Sequence, residues 1–275
     1  MQKHPTFIFF GTGYFAEPIL KNLIDFGYIP TYIITSPDKP AGRHQIMTPP
    51  RVVHIAQEYN IPFFQPEKLR TPEALAELKT LIDQVDVCVV ADYGKILPQA
   101  LLDLCPKGFL NIHPSLLPLH RGPTPMQATI LGGNNATGVT IIRMDAEMDH
   151  GPIVAVQHEE FPLESWPCLA FDFYQHMAKV SARLLIETLP RYIAGEITPT
   201  EQDHDAATYT KMIDKKDAEV LFDDIHSNNL TNIYKKYCAY RECPEIFFIH
   251  NGKRVKIKKV SMIDGNYTID RVTPE

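Results

Sequence analysis

The chain has 275 residues, 44% of them hydrophobic and 22% charged, with a formal net charge of −6. That length suits one large domain plus a small one, the composition is that of a globular fold, and the acidic balance argues against broad nucleic-acid binding. No run approaches the roughly 18 apolar residues of a spanning helix, the first residues lack a signal-peptide core, and the five scattered cysteines form no CxxC; a cytoplasmic protein without membrane contact, zinc ribbon or disulfide framework is expected.

The first half alternates strand and helix. Phe7–Phe10 reads as a buried strand, residues 15–26 carry apolar side chains at helical spacing, and Gly27 ends that helix. Tyr32–Ile34 reads as a second strand. Residues 36–43, rich in Pro and Gly, read as a loop without regular structure. A helix at 51–59, a short strand at 61–64, a helix at 73–83 and the apolar run Val85–Ala91 follow. Phe109–Ile112, Gly138–Met144 and Ile153–Gln157 are further strands, and a long helix is expected over 166–189. Such alternation implies βαβ units and a mostly parallel sheet covered on both faces. Residues 196–205 lack periodicity and read as a linker between a domain at 1–195 and a small β-rich domain at 206–275. In the latter, Asn251-Gly252 between two apolar runs signals a hairpin. Its second arm holds the basic stripe Lys253–Lys259, read as a solvated edge strand or a nucleic-acid contact.

Three segments carry candidate chemistry. Gly11-Thr12-Gly13-Tyr14-Phe15-Ala16 follows a strand and opens a helix, as a dinucleotide fingerprint does. It also suits a plain tight turn, or an anion contact at the helix N-terminus, and no acidic residue closes the second strand. Asn111 and His113 lie two apart at a strand end, so both face one side, at the carboxyl edge where open α/β sheets bind ligands. Pro114 and Pro118 stiffen the loop that follows. Asp145, Glu147 and Asp149 crowd a turn between two strands, where a carboxylate near a histidine can orient the ring and move protons; a solvated acidic turn is the plainer alternative. His120 and His150 lack partners at zinc spacing, so no metal is expected.

Together the segments resemble the folate-dependent formyltransferase superfamily, whose shared signature is matched in order by Asn111 and His113, Ser115-Leu116-Leu117-Pro118, Thr137-Gly138-Val139, and Asp149 with Gly151. Within it the chain is most similar to the methionyl-tRNA formyltransferases, through Phe10-Gly11-Thr12 with Phe15-Ala16, the Pro37–Arg43 loop, Tyr93–Pro98, Arg121-Gly122, Pro125-Met126-Gln127 and Ala207–Met212. It departs from that pattern at Gly13, at His44–Met47, at Asp92 and in a short C-terminal region.

The resemblance implies a Rossmann-like formyltransferase domain plus a truncated oligonucleotide-binding-type barrel. It also implies a monomer that moves the formyl group of 10-formyltetrahydrofolate to the α-amine of initiator methionyl-tRNA. It assigns catalysis to Asn111, His113 and Asp149, and the folate border to Tyr93, Gly94, Ile96, Leu97, Ser115, Leu116, Leu117 and Pro118. Gly11, Thr12, Arg43 and Arg121 become substrate or tRNA contacts. A nucleotide-amino-sugar acceptor is the nearest alternative, and a nicotinamide-dependent oxidoreductase a remote one.

Overall fold

A computed structural model describes residues 5–42, 45–226, 230–241, 244–263 and 266–275. By its contacts the chain forms two units: 1–121, 138–158 and 175–208 in the first, and 122–137, 159–174 and 209–275 in the second. Within the span read as a linker, Thr200 exchanges both backbone hydrogen bonds with Ile153 and Gln202 is buried.

The first unit is built on a seven-stranded sheet. Its strands are β1 (Phe7–Gly11), β2 (Tyr32–Ile34), β5 (Phe63–Phe64), β6 (Val87–Ala91), β7 (Phe109–His113), β8 (Ala136–Arg143) and β9 (Ile153–Glu160), in the order β5-β2-β1-β6-β7-β8-β9. The pairings from β5 through β7 are parallel, and β8 runs antiparallel to β7. Every residue of β1 and β6 is buried, as the unbroken apolar runs require of strands covered on both faces. Ile8, Phe10, Cys88 and Val90 pack on one face with Leu78, Ile82, Leu101 and Phe109. The helices are α1 (Ala16–Asp25), α2 (Arg51–Glu58), α3 (Pro72–Ile82), the short α4 (Gln99–Leu102) and most of α6 (Ala170–Ile193). Gly27 closes α1 with φ +81°: its N–H donates to Ile24 O at 2.8 Å and that of Tyr28 to Leu23 O at 2.8 Å, the paired bonds of a Schellman cap.

Two expectations change. The loop at 36–43 contains regular structure, because β3 (Lys39–Ala41) pairs antiparallel with β4 (Ile46–Thr48) in a small exposed hairpin. Pro40 fits there because an edge strand turns one row of backbone groups to solvent. The long helix starts at Ala170, not 166: Pro167 holds Trp166 extended at ψ 138°, so the chain cannot enter a helix until it has passed the proline.

In the second unit, α5 (Pro125–Gly132) packs on α8 (Leu230–Tyr240), beside α7 (Phe222–His226). Strands β10 (Phe247–His250), β11 (Lys253–Ile263) and β12 (Asn266–Pro274) form an antiparallel sheet in that order. Among the described residues these strands form an open meander. The basic stripe is therefore on the central strand, not an edge. Val255, Ile257 and Val260 are buried along it, and the register with β12 shifts by one residue at Lys259 and returns at Val260. Four of its five cations are in ion pairs: Lys256 with Glu245 at 3.0 Å and Glu275 at 2.9 Å, Arg254 with Glu275 at 3.3 Å, Lys259 with Asp270 at 3.5 Å, and Lys258 with Glu245.

Candidate active site

Strand β7 ends where the sheet turns from parallel to antiparallel, and its last residues carry Asn111 and His113 on one side. Asp149 reaches them from the turn between β8 and β9. Asn111 Nδ2 donates to Asp149 Oδ1 at 3.1 Å, and His113 Nδ1 lies 3.6 Å from the same oxygen. The His113 side chain is 5% exposed and that of Asp149 13%, so the group is largely dry but open at one edge. His113 Nε2 is 3.0 Å from the carbonyl oxygen of His120. A carbonyl only accepts, so Nε2 carries the hydrogen, and Nδ1, facing Asp149, is the nitrogen available for proton exchange.

The loop after β7 is fixed by local bonds. Ser115 Oγ donates to Leu119 O at 2.6 Å; Thr140 Oγ1 donates to Ser115 O at 2.7 Å and accepts from the Leu117 N–H at 3.1 Å. The Leu117–Pro118 peptide is cis. Ser115 and Leu117 are buried, whereas Leu116 and Pro118 keep surface. Tyr93 and Leu97, expected at the folate border, belong to the hydrophobic core with Phe10 and Phe109, while Gly94 and Ile96 are exposed. These residues follow β6, the strand beside β7, so both segments leave the same end of the sheet.

The acidic turn is held from several sides. Asp145 Oδ2 pairs with His150 Nδ1 at 2.7 Å, and Asp149 sits in left-handed backbone at φ +52°. A Cβ on Gly151 would stand 1.9 Å from the backbone oxygen of Arg143, so only glycine fits. Gln202 Nε2 donates to the carbonyls of Asp149, at 2.9 Å, and Gly151, at 2.8 Å. Sequence reasoning missed Gln202, because a lone glutamine in an aperiodic stretch gives no signal.

The expected tRNA contacts are placed differently. Arg121 is a correction: it is 1% exposed and directed inward, donating through Nε and Nη2 to Gln202 Oε1 at 3.2 and 2.7 Å, and through Nη2 to His204 Nδ1 at 2.9 Å. Gly11 is buried; Thr12 is half-buried, with its hydroxyl 3.3 Å from those of Thr35 and Ser36. Arg43 lies outside the described residues.

The glycine-rich turn before α1 is occupied by the chain itself. The N–H groups of Thr12 and Gly13 donate to Asp92 O at 3.0 and 2.9 Å, and that of Phe15 to Asp92 Oδ2 at 2.9 Å. A dinucleotide's pyrophosphate would meet this carboxylate at the helix N-terminus where it should find donors, which removes the ground for the oxidoreductase alternative. A Cβ on Gly13 would approach the same carboxylate to 2.0 Å, which accounts for glycine there. Part of Asp92 reaches solvent, yet the atoms crowded around it push its carboxyl above the ordinary range, against the pull of the Phe15 and Ala16 N–H groups. Among the described residues, no group of three His, Cys, Asp or Glu side chains is arranged to hold a metal, and no helix is long and apolar enough to cross a membrane.

Residues 5–164 match the family model for formyl transferase. A methionyl-tRNA formyltransferase of Chloroflexus aggregans is 46% identical over 213 residues, covering 78% of this chain and 67% of that protein. Another, from Chloroflexus aurantiacus, is 40% identical over 261 residues, 95% of this chain and 81% of its own. Among solved structures, a methionyl-tRNA formyltransferase from Clostridium thermocellum superposes with a TM-score of 0.63 at 16% identity, covering 99% of both chains, which speaks to the fold.

Proposed function

The chain belongs to the formyl transferase family and, within it, to the methionyl-tRNA formyltransferases, and from that premise we propose that it transfers the formyl group of 10-formyltetrahydrofolate to the α-amine of initiator methionyl-tRNA. The observation that carries the reading is the meeting of Asn111, His113 and Asp149 at the end of β7.

The chemistry is acyl transfer without a covalent enzyme intermediate. The amine lone pair attacks the formyl carbon, a C–N bond forms, and the carbonyl π electrons move onto oxygen. A donor aimed at that oxygen lowers the barrier. The amide of Asn111 has two hydrogens, one given to Asp149, and the second serves the oxyanion. The attacking nitrogen becomes cationic and gives up a proton, which Asp149 accepts directly or through His113 Nδ1. Collapse of the intermediate breaks the bond to the folate nitrogen, which takes a proton as it leaves. We assign contact with the donor to Gly94, Ile96, Leu116 and Pro118, which keep exposed surface, and support of their loops to Tyr93, Leu97, Ser115 and Leu117. In this reading the first unit carries the chemistry and the second serves the tRNA.

The test is to incubate the protein with 10-formyltetrahydrofolate and either methionyl-initiator tRNA or a nucleotide amino sugar, and to weigh both acceptors. A 28 Da gain, about the mass of CO, is expected on the methionyl group alone. A gain on the sugar, or on neither, overturns the proposal.

A further inference from the structure

Asn111 and His113 are held by the ladder of β7, whereas Asp149 sits in a turn at φ +52° and needs other support. We infer that Gln202 is a positioning residue for Asp149, and that Arg121 fixes the orientation in which Gln202 does this; the reaction it serves rests on the formyl-transfer reading, the geometry does not.

Gln202 is 5% exposed, and its amide is used at both ends. Its two N–H hydrogens go to the carbonyls of Asp149 and Gly151, and its oxygen receives Nε and Nη2 of Arg121. A flipped amide would turn its hydrogens on the guanidinium and its oxygen on two carbonyl oxygens, so a single orientation is stable. Arg121 is fixed in turn. Its Nη2 also donates to His204 Nδ1, whose ring stacks on His150 at 4.0 Å, and its backbone N–H donates to Thr208 O at 2.8 Å. The grip therefore falls on the two carbonyls that flank His150, one of them belonging to Asp149. Holding that backbone sets where the Asp149 carboxylate stands against Asn111 and His113 Nδ1, where a misplacement of about 1 Å costs up to a hundredfold in rate.

The plainer role for a buried glutamine is to satisfy the buried arginine. Gln202→Glu separates the two. The carboxylate keeps the length and gives Arg121 an ion-pair partner, but has no hydrogens for the Asp149 and Gly151 carbonyls. If Gln202 only serves Arg121, this variant turns over as the wild type does.

The experiment compares wild type and Gln202→Glu in melting temperature, in steady-state formyl transfer to methionyl-tRNA, and in the pH titration of the His113 ring by NMR with labelled histidine, assigned through His113→Gln. The melting temperature is expected to stay within about 4 °C. We expect kcat to fall about 10- to 100-fold while KM for either substrate moves less than about threefold. The His113 titration is expected to shift. Wild-type kcat, or an unmoved titration, overturns the inference. Should the glutamate variant not fold, Gln202→Asn, which keeps the amide but withdraws it by one methylene, carries the same expectations. If the wild type itself transfers no formyl group, the functional reading fails, and the His113 titration still decides whether Gln202 positions Asp149.

Discussion

His113 offers its two ring nitrogens to unlike partners, a carbonyl at Nε2 and a carboxylate at Nδ1, and the directed proton transfer of the proposed reaction rests on this asymmetry. Replacing Asn111, His113 or Asp149 by alanine is expected to lower kcat/KM about 100-fold or more each, with far-UV circular dichroism unchanged. Near-normal turnover in Asp149→Ala would remove that residue from the mechanism. Gly151→Ala is expected to act through the backbone: its Cβ would meet the Arg143 carbonyl oxygen at 1.9 Å, so the turn must shift, with loss of turnover and about 1–3 kcal/mol of stability in a denaturant titration. The sequence revealed these residues unequally. Asn111 and His113 were legible because i and i+2 on a strand face one way. Asp149 was singled out among three acids by its family position, since spacing alone cannot tell a solvated carboxylate from a directed one. Arg121 was misread because a motif arginine next to a glycine looks the same whether its guanidinium faces water or a buried glutamine.

Among the elements, α1 shows how a helix start can be completed from a distant strand. Phe15 cannot cap with its own side chain, and Asp92, after β6, supplies the acceptor. Asp92→Ala is expected to cost about 1 kcal/mol in chemical denaturation. The raised Asp92 carboxyl adds a pH signature, because the folded chain holds that proton more tightly than the unfolded chain. Its contribution to stability is full below the ordinary carboxylate range and is lost as pH rises through the raised folded value. Asp92→Asn should flatten that decline when unfolding is followed from acid to neutral pH; an unchanged slope would assign it to other groups. The parallel core was legible from unbroken apolar runs, and the hairpin of β10 and β11 from Asn251-Gly252. By contrast, β12 was not, since its alternation of polar and apolar residues becomes a strand only once β11 offers a ladder. Likewise α5 was not, because its apolar residues lie on all sides and carry no periodicity to read.

At the scale of the whole molecule, the cations of β11 change the expected use of charge. Lys256 and Lys258 are engaged with Glu245 and Glu275, so the stripe that looks basic in sequence is offset in place. Its partners answer in kind: the Glu275 carboxyl is held low chiefly by the Lys256 hydrogen bond. If tRNA binding is followed across salt concentration, replacing both lysines by glutamine should change the slope by less than about half a unit, where two phosphate contacts would have contributed about 2. A slope change near 2 would return the stripe to the tRNA interface. The bonds that join Arg121 to Gln202 and Thr208 have a consequence in time. A ribosome releases His113 and Asp149 well before residues 202–208, by about 3 to 20 seconds at ordinary elongation rates. During that interval a nascent chain already holds the proposed catalytic trio but not the partners that lock its turn. Activity should therefore arrive late in synthesis, after the polypeptide has passed Thr208, so that stalled or broken translation products are silent toward the substrate pool even when they contain the whole parallel sheet.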